Sequence, residues 1–423
     1  MAAPRRSFQR TCRRYFLWLA VPLVVSVLLM SFLNTLVNPL WLTPMPWSDP
    51  GYADYKPIHK YPRSGKAGIV RSGKWDAVLL GSSRVDIAFD PLLPQWQGKR
   101  VANLALRGGT LSEHAAMLEY ASEHQKLELA IVGLDLADLT NPVLISEKSG
   151  FEDSPLARGG DGIERELRYV AGVSTFFDTL KCINYRYKII PKKKKKAPES
   201  DEDQDSAGQY SAQGQWVRII EERPMRVVIR KESYHFADVY TKARHQSMAL
   251  VQPKLDDLHR IISLCREKNI RLILCIPPDH AVFLSSFHIR NDPDPDFRVD
   301  RTAFAKVIAE ETAAHPEASP VVLWDFADFH PLNCESLPPG EAVMGHDWAD
   351  GTHALPTLGK IMLSRMLDWP LVDGRGADYG MKLDVSNVDA RVKQVAEGFE
   401  RYKQEHPADF KWAEENVERF GEP

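Results

Sequence analysis

The chain has 423 residues, of which 44% are hydrophobic and 26% are charged, and its formal net charge is −3. This composition is globular, and the length allows one large domain with insertions or two smaller domains. With a net charge so close to zero, the protein has no overall positive potential that would attract nucleic acid, so we expect no nucleic-acid partner.

The N-terminal segment is typical of a membrane anchor. Residues 16–37 contain no charged side chain, and these 22 positions are enough for a helix across a bilayer core of about 30 Å. Five arginines lie in the tail 1–15, whereas no Lys or Arg follows the apolar segment until Lys56. By the positive-inside rule we predict a cytoplasmic tail, one span and an extracytoplasmic remainder, either periplasmic or at the cell surface.

Two further observations bear on this anchor. Trp18, Trp41 and Trp47 are spaced to lie at the two interfaces of the bilayer. A cleaved signal peptide is the alternative, but its apolar core is usually about 7–15 residues long and ends at small residues. Here the longer apolar segment leads into Val37-Asn38-Pro39-Leu40-Trp41. This favours an uncleaved single-pass anchor with the lipid bilayer as its partner.

The middle of the chain predicts an α/β fold. Residues 38–75 are rich in Pro, Gly and Tyr and predict an extended stalk, in which two Arg-Ser-Gly-Lys copies form solvated turns. From Asp76 the chain alternates between apolar runs and amphipathic segments, which is typical of a doubly wound parallel sheet. The predicted strands are 77–80, 101–106, 129–136, 272–277 and 321–326, and the predicted helices are 111–123, 253–268, 301–314 and 356–369. We therefore expect a five-stranded, flavodoxin-like three-layer domain in two parts, 76–140 and 251–370.

A large insertion, 141–250, separates the third and fourth strands. Within it Lys192–Lys196 and the acidic run Glu199–Asp205 have no apolar face, so residues 192–206 are predicted to be disordered. A contact of these lysines with an anionic lipid or polymer is the alternative. The rest of the insertion is expected to fold over the sheet edge and to shape a substrate surface. The aromatic residues of the insertion that we expect to contribute to this surface are Trp216, Tyr234, Phe236 and Tyr240.

The extension 371–423 predicts a further helix, packed on the domain or on a partner. The apolar residues at helical spacing are Val388, Val392, Val395, Phe399 and Tyr402. The cysteines beyond the span are Cys182, Cys265, Cys275 and Cys334. If the topology holds, they lie in a space that permits disulfides, and their pairing stays open. No Cys-x-x-Cys occurs, so a zinc site has no support.

The stretch Asp76–Arg84 carries the first candidate chemistry. Its apolar run stops at Gly81, and Ser82 and Ser83 follow. Hydroxyls at the carboxyl end of a buried strand lie where open α/β sheets place their active sites. A tight turn there also offers backbone N–H groups for an oxyanion. A serine-rich junction between a strand and a loop, without chemistry, is the alternative.

Asp350-Gly351-Thr352-His353 carries the second candidate chemistry, just after the fifth predicted strand. Three residues apart in a turn, Asp350 and His353 can bond each other. The imidazole can then take a serine proton while the carboxylate stabilises the imidazolium. A structural histidine near a helix start is the alternative.

Together, these segments resemble the SGNH/GDSL hydrolase superfamily from Asp76 to about Trp369, with the insertion excluded. The three matching stretches are Gly81-Ser82-Ser83 for the family's Gly-Asp-Ser, Asn103–Thr110 for its second block and Asp350–His353 for its fifth. The resemblance implies a nucleophile at Ser83 and a triad completed by Asp350 and His353. It also implies an oxyanion hole built from the backbone N–H groups of Ser83 and Gly108. It requires no metal or organic cofactor.

The layout resembles the membrane-anchored, cell-envelope branch of this superfamily, such as the D-alanine transfer proteins of teichoic-acid modification. The shared features are an N-terminal anchor, Gly-Ser-Ser, a long insertion, Ile276-Pro277-Pro278 after the fourth strand and a terminal Asp-x-x-His. This resemblance implies an acylated glycan or envelope polymer as substrate. It also implies a membrane-bound acyl-donor protein as a candidate partner.

Two departures from the family pattern leave two hypotheses open. Ser82 replaces the Asp before the nucleophile, and Asp135, at the end of the third predicted strand, stands where the family places an Asn donor. An ionised Asp cannot donate to an oxyanion, and one missing donor costs about a hundredfold or more in rate. The chain is therefore either a serine esterase or acyltransferase, or a catalytically inactive SGNH-like module that binds glycan or scaffolds an envelope complex.

Four further residues are candidates for substrate binding: Arg84, Asn103, Arg107 and His280. Arg84 could hold an anionic substrate group, but a structural ion pair with Asp86 is favoured. A third hypothesis assigns Arg84 and the lysine run to binding of an anionic ligand. His280 follows the fourth strand and either lines the pocket or lies in a surface loop.

Overall fold

The computed structural model describes residues 4–55, 58, 60–143, 150–157, 162–189, 210–217, 223–340, 342–371 and 374–420. They form two compact units. The first unit comprises Met1–Ser72 with Asp153–Gly208, and the second comprises Gly73–Glu152 with Gln209–Pro423. The insertion 141–250 therefore contributes to both units. The segment 192–206, predicted to be disordered, lies outside the described residues.

The helices and strands are named here in chain order. The helices are α1 (Pro4–Val37), α2 (Pro62–Ser72), α3 (Ser83–Ala88), α4 (Leu111–His124), α5 (Gly162–Ala171), α6 (Val173–Asn184), α7 (Met225–Val228), α8 (Tyr234–Gln246), α9 (Gln252–Glu267), α10 (Ala281–Ile289), α11 (Arg298–Ala314), α12 (Pro356–Leu367), α13 (Val388–Glu405) and α14 (Pro407–Asn416). Short 3₁₀ turns occupy Pro50–Tyr55 and Pro94–Trp96, and π-helical turns occupy Tyr185–Ile189 and Ile229–Ser233. The strands are β1 (Ala77–Leu80), β2 (Val101–Asn103), β3 (Leu129–Gly133), β4 (Arg271–Ile276), β5 (Val322–Asp325) and β6 (Met381–Leu383).

In the first unit, α1 contains a segment, Thr11–Val37, that is long and apolar enough to span a membrane, and its most apolar stretch is not buried. Trp18 and Trp47 are exposed, but Trp41 is buried, contrary to its predicted place at the bilayer interface. A turn closed by the Trp41 N–H and the Asn38 carbonyl folds the chain back after α1. This turn directs the Trp41 ring inwards.

The described part of residues 38–75 is not an extended stalk. Helix α2 buries Ser64–Val70, which includes Lys66 of the first Arg-Ser-Gly-Lys copy, predicted to be a solvated turn. Glycine makes this packing feasible, because a Cβ on Gly68 would lie 1.8 Å from the carbonyl oxygen of Leu40. The glycine content that predicted a stalk therefore allows α2 to pack closely against the chain that follows α1.

The second unit is an α/β domain whose sheet has the order β2-β1-β3-β4-β5-β6. Strands β1 to β5 pair parallel with one another. Every residue of β1 and β3 is buried. The sixth strand, β6, pairs antiparallel with β5, so the sheet is mixed and has six strands, not the five parallel strands predicted. β6 has only three residues, Met-Lys-Leu, which are too few for an apolar and polar alternation to predict a strand.

The C-terminal helix predicted from the apolar spacing is α13. Val395, Phe399 and Tyr402 belong to the main core cluster of the second unit, so this helix packs on the domain itself. The cysteines of the second unit, Cys265, Cys275 and Cys334, are buried free thiols. Burial raises the pKa of Cys265 to about 12, so this thiol stays protonated and packs as a small hydrophobe.

A buried charge network joins β5 to two helices. Asp325 Oδ2 accepts hydrogen bonds from Arg301 Nε on α11 at 2.8 Å and from Arg391 Nε on α13 at 2.9 Å. Arg391 also donates to Asp328 Oδ2 at 2.7 Å. Burial would raise the pKa of Asp325, but the two guanidinium groups hold it well below its ordinary value. The network therefore fixes α11 and α13 against the carboxyl end of β5.

We expect Arg391→Ala to lower the free energy of unfolding by about 3–5 kcal/mol, because Asp328 loses its buried guanidinium partner and Asp325 keeps only one. Urea unfolding of the full chain in detergent, followed by tryptophan fluorescence, measures this change. Lys393→Ala is the matched control, since the Lys393 side chain on the same helix is 77% exposed, and it should change stability by less than about 0.5 kcal/mol. Equal effects of the two substitutions would contradict the role given to the network.

Candidate active site

The turn after β1 presents one serine and buries the other. Gly81 has φ +152°, and a Cβ at this position would lie 2.5 Å from Cγ2 of Val85, so the turn requires glycine. Ser82 is buried as the N-cap of α3, where its hydroxyl accepts the Arg84 N–H at 3.3 Å. Ser83, the first residue of α3, is half-buried and carries the accessible hydroxyl.

Ser83, His353 and Asp350 form a continuous hydrogen-bonded chain. The Ser83 hydroxyl lies 2.8 Å from His353 Nε2, and His353 Nδ1 lies 2.7 Å from Asp350 Oδ2. In the neutral imidazole Nδ1 carries the proton toward the carboxylate, and Nε2 is then free to accept the serine proton. The structure thus brings together the three residues that the sequence singled out, although Ser83 and His353 are 270 positions apart in the chain.

Local hydrogen bonds hold the Asp350 carboxylate in place. Asp350 Oδ1 accepts the Thr352 N–H at 2.7 Å, the Thr352 hydroxyl at 3.1 Å and the His353 N–H at 3.0 Å. Burial opposes the charged carboxylate, but His353 and these donors lower the pKa of Asp350 below its ordinary value. The carboxylate is therefore ionised and aimed at the imidazole.

The turn from Asp350 to His353 is fixed from outside as well. Its two flanks pair through an isolated antiparallel bridge between Trp348 and Ala354. The Gly351 carbonyl accepts the His280 N–H at 3.1 Å, and a Cβ on Gly351 would lie 2.9 Å from the Ser233 hydroxyl. A larger residue than glycine would therefore push the turn away from the π-helical turn that ends at Ser233.

Arg84 lies beside the candidate nucleophile in an ion-pair cluster. It donates to Asp279 Oδ1 through Nε at 3.1 Å and through a terminal nitrogen at 2.8 Å, and its other terminal nitrogen lies 3.2 Å from Asp135 Oδ1. The predicted pairing with Asp86 is wrong, because residues two positions apart on α3 point to different sides of the helix. Arg84 is 14% exposed, so its charge is engaged within the protein and does not face an open anion site.

The sequence did not predict that Asp135, Asp279 and Tyr240 surround Arg84. Asp135 and Asp279 each follow the carboxyl end of a strand, β3 and β4, and that position was a signal that could have found them. Tyr240 on α8 lies close enough to interact electrostatically with Arg84 and both carboxylates, and burial raises its pKa to about 12. Burial raises the pKa of Asp279 to about 6, although Arg84 opposes this rise.

The loop that follows β2 carries the predicted second oxyanion donor. The Leu106 N–H donates to the Gly81 carbonyl at 2.8 Å, so this loop lies against the serine turn. Gly108 has φ +59°, and no atom lies within 4 Å of the position where its Cβ would be. The space on the Cβ side of Gly108 is therefore open, and its role as the second oxyanion donor stays a prediction.

Two of the candidate substrate-binding residues are structural. Asn103 is fully buried, and its amide donates to the carbonyls of Val85 and Phe89 at 3.1 and 3.0 Å, where it satisfies the carboxyl end of α3. His280 is fully buried at the N-terminus of α10, and its Nε2 donates to the Glu335 carbonyl at 2.7 Å. Burial lowers the pKa of His280 to about 4. Neither side chain reaches a pocket.

Arg107 is the fourth candidate, and it meets the insertion. Its guanidinium lies 4.0 Å from the ring centroid of Trp216, a cation–π contact. The Trp216 N–H donates to the Asp86 carbonyl at 3.2 Å, so residues 210–217 lie on α3. This part of the insertion covers the sheet edge beside the serine turn, as the sequence predicted.

Among the described residues, no group of three or more His, Cys, Asp or Glu side chains is arranged to hold a metal ion. No family model matches the chain, and no curated protein matches it significantly. The functional interpretation therefore depends on the geometry of the site and on the motifs that carry the resemblance.

Asp279 gives the domain a testable pH dependence. Its pKa rises from 3.8 in the unfolded chain to about 6 in the folded one, so the folded state binds more protons between these values. Relative to Asp279→Asn, the stability of the wild type is therefore expected to fall by on the order of 3 kcal/mol as pH rises from about 4 to about 6.

Urea unfolding at a series of pH values measures this difference. Asp256→Asn, at an exposed position on α9, is the matched control and should leave the pH dependence of the wild type unchanged. Parallel curves for the wild type and Asp279→Asn would show that burial of Asp279 does not raise its pKa.

Proposed function

We propose that this chain is a membrane-anchored, extracytoplasmic serine esterase or acyltransferase of the SGNH/GDSL type. The observation that carries the proposal is the hydrogen-bonded chain from the Ser83 hydroxyl through His353 to Asp350, with distances of 2.8 and 2.7 Å. Its position at the carboxyl edge of an α/β sheet, and the order Ser, Asp, His along the chain, fit the doubly wound arrangement of that superfamily.

The first half of the proposed reaction forms an acyl-enzyme. The Ser83 oxygen attacks the carbonyl carbon of an ester while His353 Nε2 takes the hydroxyl proton. The resulting oxyanion accepts hydrogen bonds from the backbone N–H groups of Ser83 and Gly108. When the intermediate collapses, the bond to the leaving alcohol breaks and the imidazolium returns the proton to that alcohol.

The second half releases the acyl group. Water or an acceptor hydroxyl attacks the acyl-serine carbonyl, His353 takes its proton, and the Ser83 oxygen leaves and regains a proton from the imidazolium. Asp350 does not change its protonation state. It holds the imidazole in the tautomer that leaves Nε2 unprotonated and stabilises the imidazolium in both halves.

The substrate class follows from the resemblance and the anchor. An enzyme held outside the membrane by one span meets cell-envelope or exported polysaccharides, and the envelope branch of the superfamily acts on such polymers. The surface beside α3, where Arg107 stacks on Trp216, supports an insertion that shapes the approach to Ser83. A membrane-bound acyl-donor protein is the candidate partner for the transferase reaction.

The second candidate function is an inactive SGNH-like module that binds glycan or scaffolds an envelope complex. One observation favours it: Asp135 stands where the superfamily places an Asn donor, and it is paired with Arg84 at 3.2 Å. A carboxylate only accepts hydrogen bonds, so the oxyanion hole has two backbone donors in place of three. The intact hydrogen-bonded triad favours the enzyme.

A serine-reactive fluorophosphonate probe tests the proposal. We expect the full chain in detergent to be labelled, and Ser83→Ala to abolish labelling because the probe reacts with the activated hydroxyl. His353→Ala should reduce both labelling and ester hydrolysis to a similar extent, since triad members act as a unit. Asp350→Asn should also reduce both, through loss of the tautomer control.

Ser82→Ala is the matched control, because Ser82 caps α3 and does not bond to His353. It should keep labelling while stability falls by about 1 kcal/mol. Labelling that persists in Ser83→Ala would refute the assignment of the nucleophile. A folded wild type that neither reacts with the probe nor hydrolyses model esters would favour the binding module.

The topology has a separate test. The arginines of the tail 1–15 and the absence of Lys or Arg between the span and Lys56 predict an extracytoplasmic C-terminus. A reporter that is active only in the cytoplasm, fused after Pro423, should therefore be silent, whereas one that is active only outside should give signal. The opposite pattern would overturn the predicted orientation.

A further inference from the structure

Two helices of the first unit expose a row of large apolar side chains. On α5, Ile163 and Leu167 are 73% and 58% exposed. On α6, Val173, Phe177 and Leu180 are 59%, 60% and 42% exposed. The spacings of three and four residues place each set on one side of its helix. We name these five side chains the juxtamembrane apolar face. Apolar side chains grouped in this way mark an interaction surface.

This face lies at the end of the candidate membrane span. Asn34, near the end of α1, donates from its amide to the carbonyls of Val170 and Gly172 at 3.0 and 3.2 Å. Its amide oxygen accepts the Thr179 hydroxyl at 2.9 Å. These bonds fix the junction of α5 and α6 at the level of Asn34 on α1.

Two tryptophans mark where the bilayer would begin and end along α1. Trp47 is 50% exposed, and its indole N–H donates to the Thr35 hydroxyl at 3.0 Å, while Trp18 is 79% exposed on α1 itself. Thr35 lies 17 positions after Trp18, a rise of about 26 Å in a helix. This is close to the hydrocarbon thickness of about 30 Å, and tryptophan is enriched at both interfaces. Thr35 is therefore at the outer boundary, next to Asn34.

The charges of α5 indicate what this face contacts. The polar side of the helix carries Glu164, Arg165, Glu166 and Arg168, which sum to zero net charge. Glu164 pairs with Arg168 at 2.5 Å, and Glu166 pairs with Arg71 at 2.7 Å. Both glutamates are therefore paired within the first unit, and the helix has no excess of basic residues to attract anionic headgroups. Burial of the apolar side chains is therefore the contribution that would drive this face against its partner.

We propose that the juxtamembrane apolar face inserts into the outer interface of the bilayer that α1 crosses, as a second membrane contact. This inference rests on the proposed anchoring by α1. The occupant is lipid because the junction of α5 and α6 is bonded to Asn34, the residue before Thr35, whose hydroxyl accepts the Trp47 indole N–H at the outer boundary. Such a contact would restrict the rotation and tilt of the first unit relative to the bilayer.

Site-directed spin labelling of the full chain tests this proposal. In a Cys12→Ser background the remaining cysteines, Cys182, Cys265, Cys275 and Cys334, are buried and resist labelling. A nitroxide is placed at Leu167→Cys, with Arg168→Cys as the matched control one position away on the same exposed turn. Leu29→Cys on α1 is the lipid reference, since Leu29 is 58% exposed within the apolar span. Collisions with oxygen and with a water-soluble nickel chelate are measured in nanodiscs of neutral phosphatidylcholine with one copy per disc.

We expect the ratio of oxygen to nickel collisions at Leu167 to be several-fold higher than at Arg168 and to approach that at Leu29. Anionic phosphatidylglycerol in the disc should leave this ratio unchanged. A label at Phe177→Cys on α6 should repeat the result, which guards against a local distortion of α5.

Three results would overturn the proposal, and they differ from one another. Equal nickel collisions at Leu167 and Arg168, with Leu29 still in lipid, would leave the anchor intact and show that the face lies in water. Free nickel access at Leu29 as well would refute the anchoring proposal itself. Protection of Leu167 from both reagents would show that protein, either a partner or a second copy in the disc, covers the face.

Discussion

The position of the candidate triad depends on one loop, the connection between β4 and α10. Asp279 in this loop holds the Arg84 guanidinium, which belongs to the residue after Ser83. The next residue, His280, donates its backbone N–H to the Gly351 carbonyl, between Asp350 and His353. The serine turn and the histidine turn are thus fixed against the same two residues. Any shift of this loop would change the 2.8 Å distance between the Ser83 hydroxyl and His353 Nε2.

This arrangement uses a buried charge cluster as a support for the site. Two carboxylates share one guanidinium here. Burial, and to a lesser extent the Asp135 carboxylate, raise the pKa of Asp279 to about 6, although Arg84 opposes this rise. A carboxylate at Asp135 contributes to the same cluster at the place where an amide donor would assist an oxyanion. In the proposed enzyme, Asp135 would therefore fix Arg84 and also leave the oxyanion hole without a side-chain donor.

In each unit, hydrogen bonds from buried polar side chains attach two helices to a central element. In the second unit, Asp325 and its two arginines attach α11 and α13 to the sheet, remote in sequence from Ser83. In the first unit, Asn34 attaches α5 and α6 to the end of the candidate span through neutral hydrogen bonds. An uncharged asparagine suits the proposed boundary of the bilayer, where an unpaired charge would be costly.

The sequence by itself determined the features that depend on neighbouring residues. The apolar run before Gly81 specified β1, the uncharged stretch 16–37 specified a helix long enough for a membrane, and the three-residue spacing of Asp350 and His353 specified their bond. Each is a local pattern, because helix length, strand burial and turn geometry follow from residues close together in the chain.

Only the tertiary structure decided which distant groups meet. Arg84 pairs with Asp279, 195 positions away, and not with Asp86, because helix geometry separates side chains two residues apart. Asn103 and His280 lie at the carboxyl ends of strands, where open α/β sheets bind ligands. Both side chains are nevertheless buried and hydrogen-bonded to backbone groups at helix ends. The antiparallel strand β6 forms because β5 leaves an unpaired edge, and the packing of α2 depends on the approach of Leu40 to Gly68. Burial and partner choice are properties of the packed chain, and no pattern along the sequence encodes them directly.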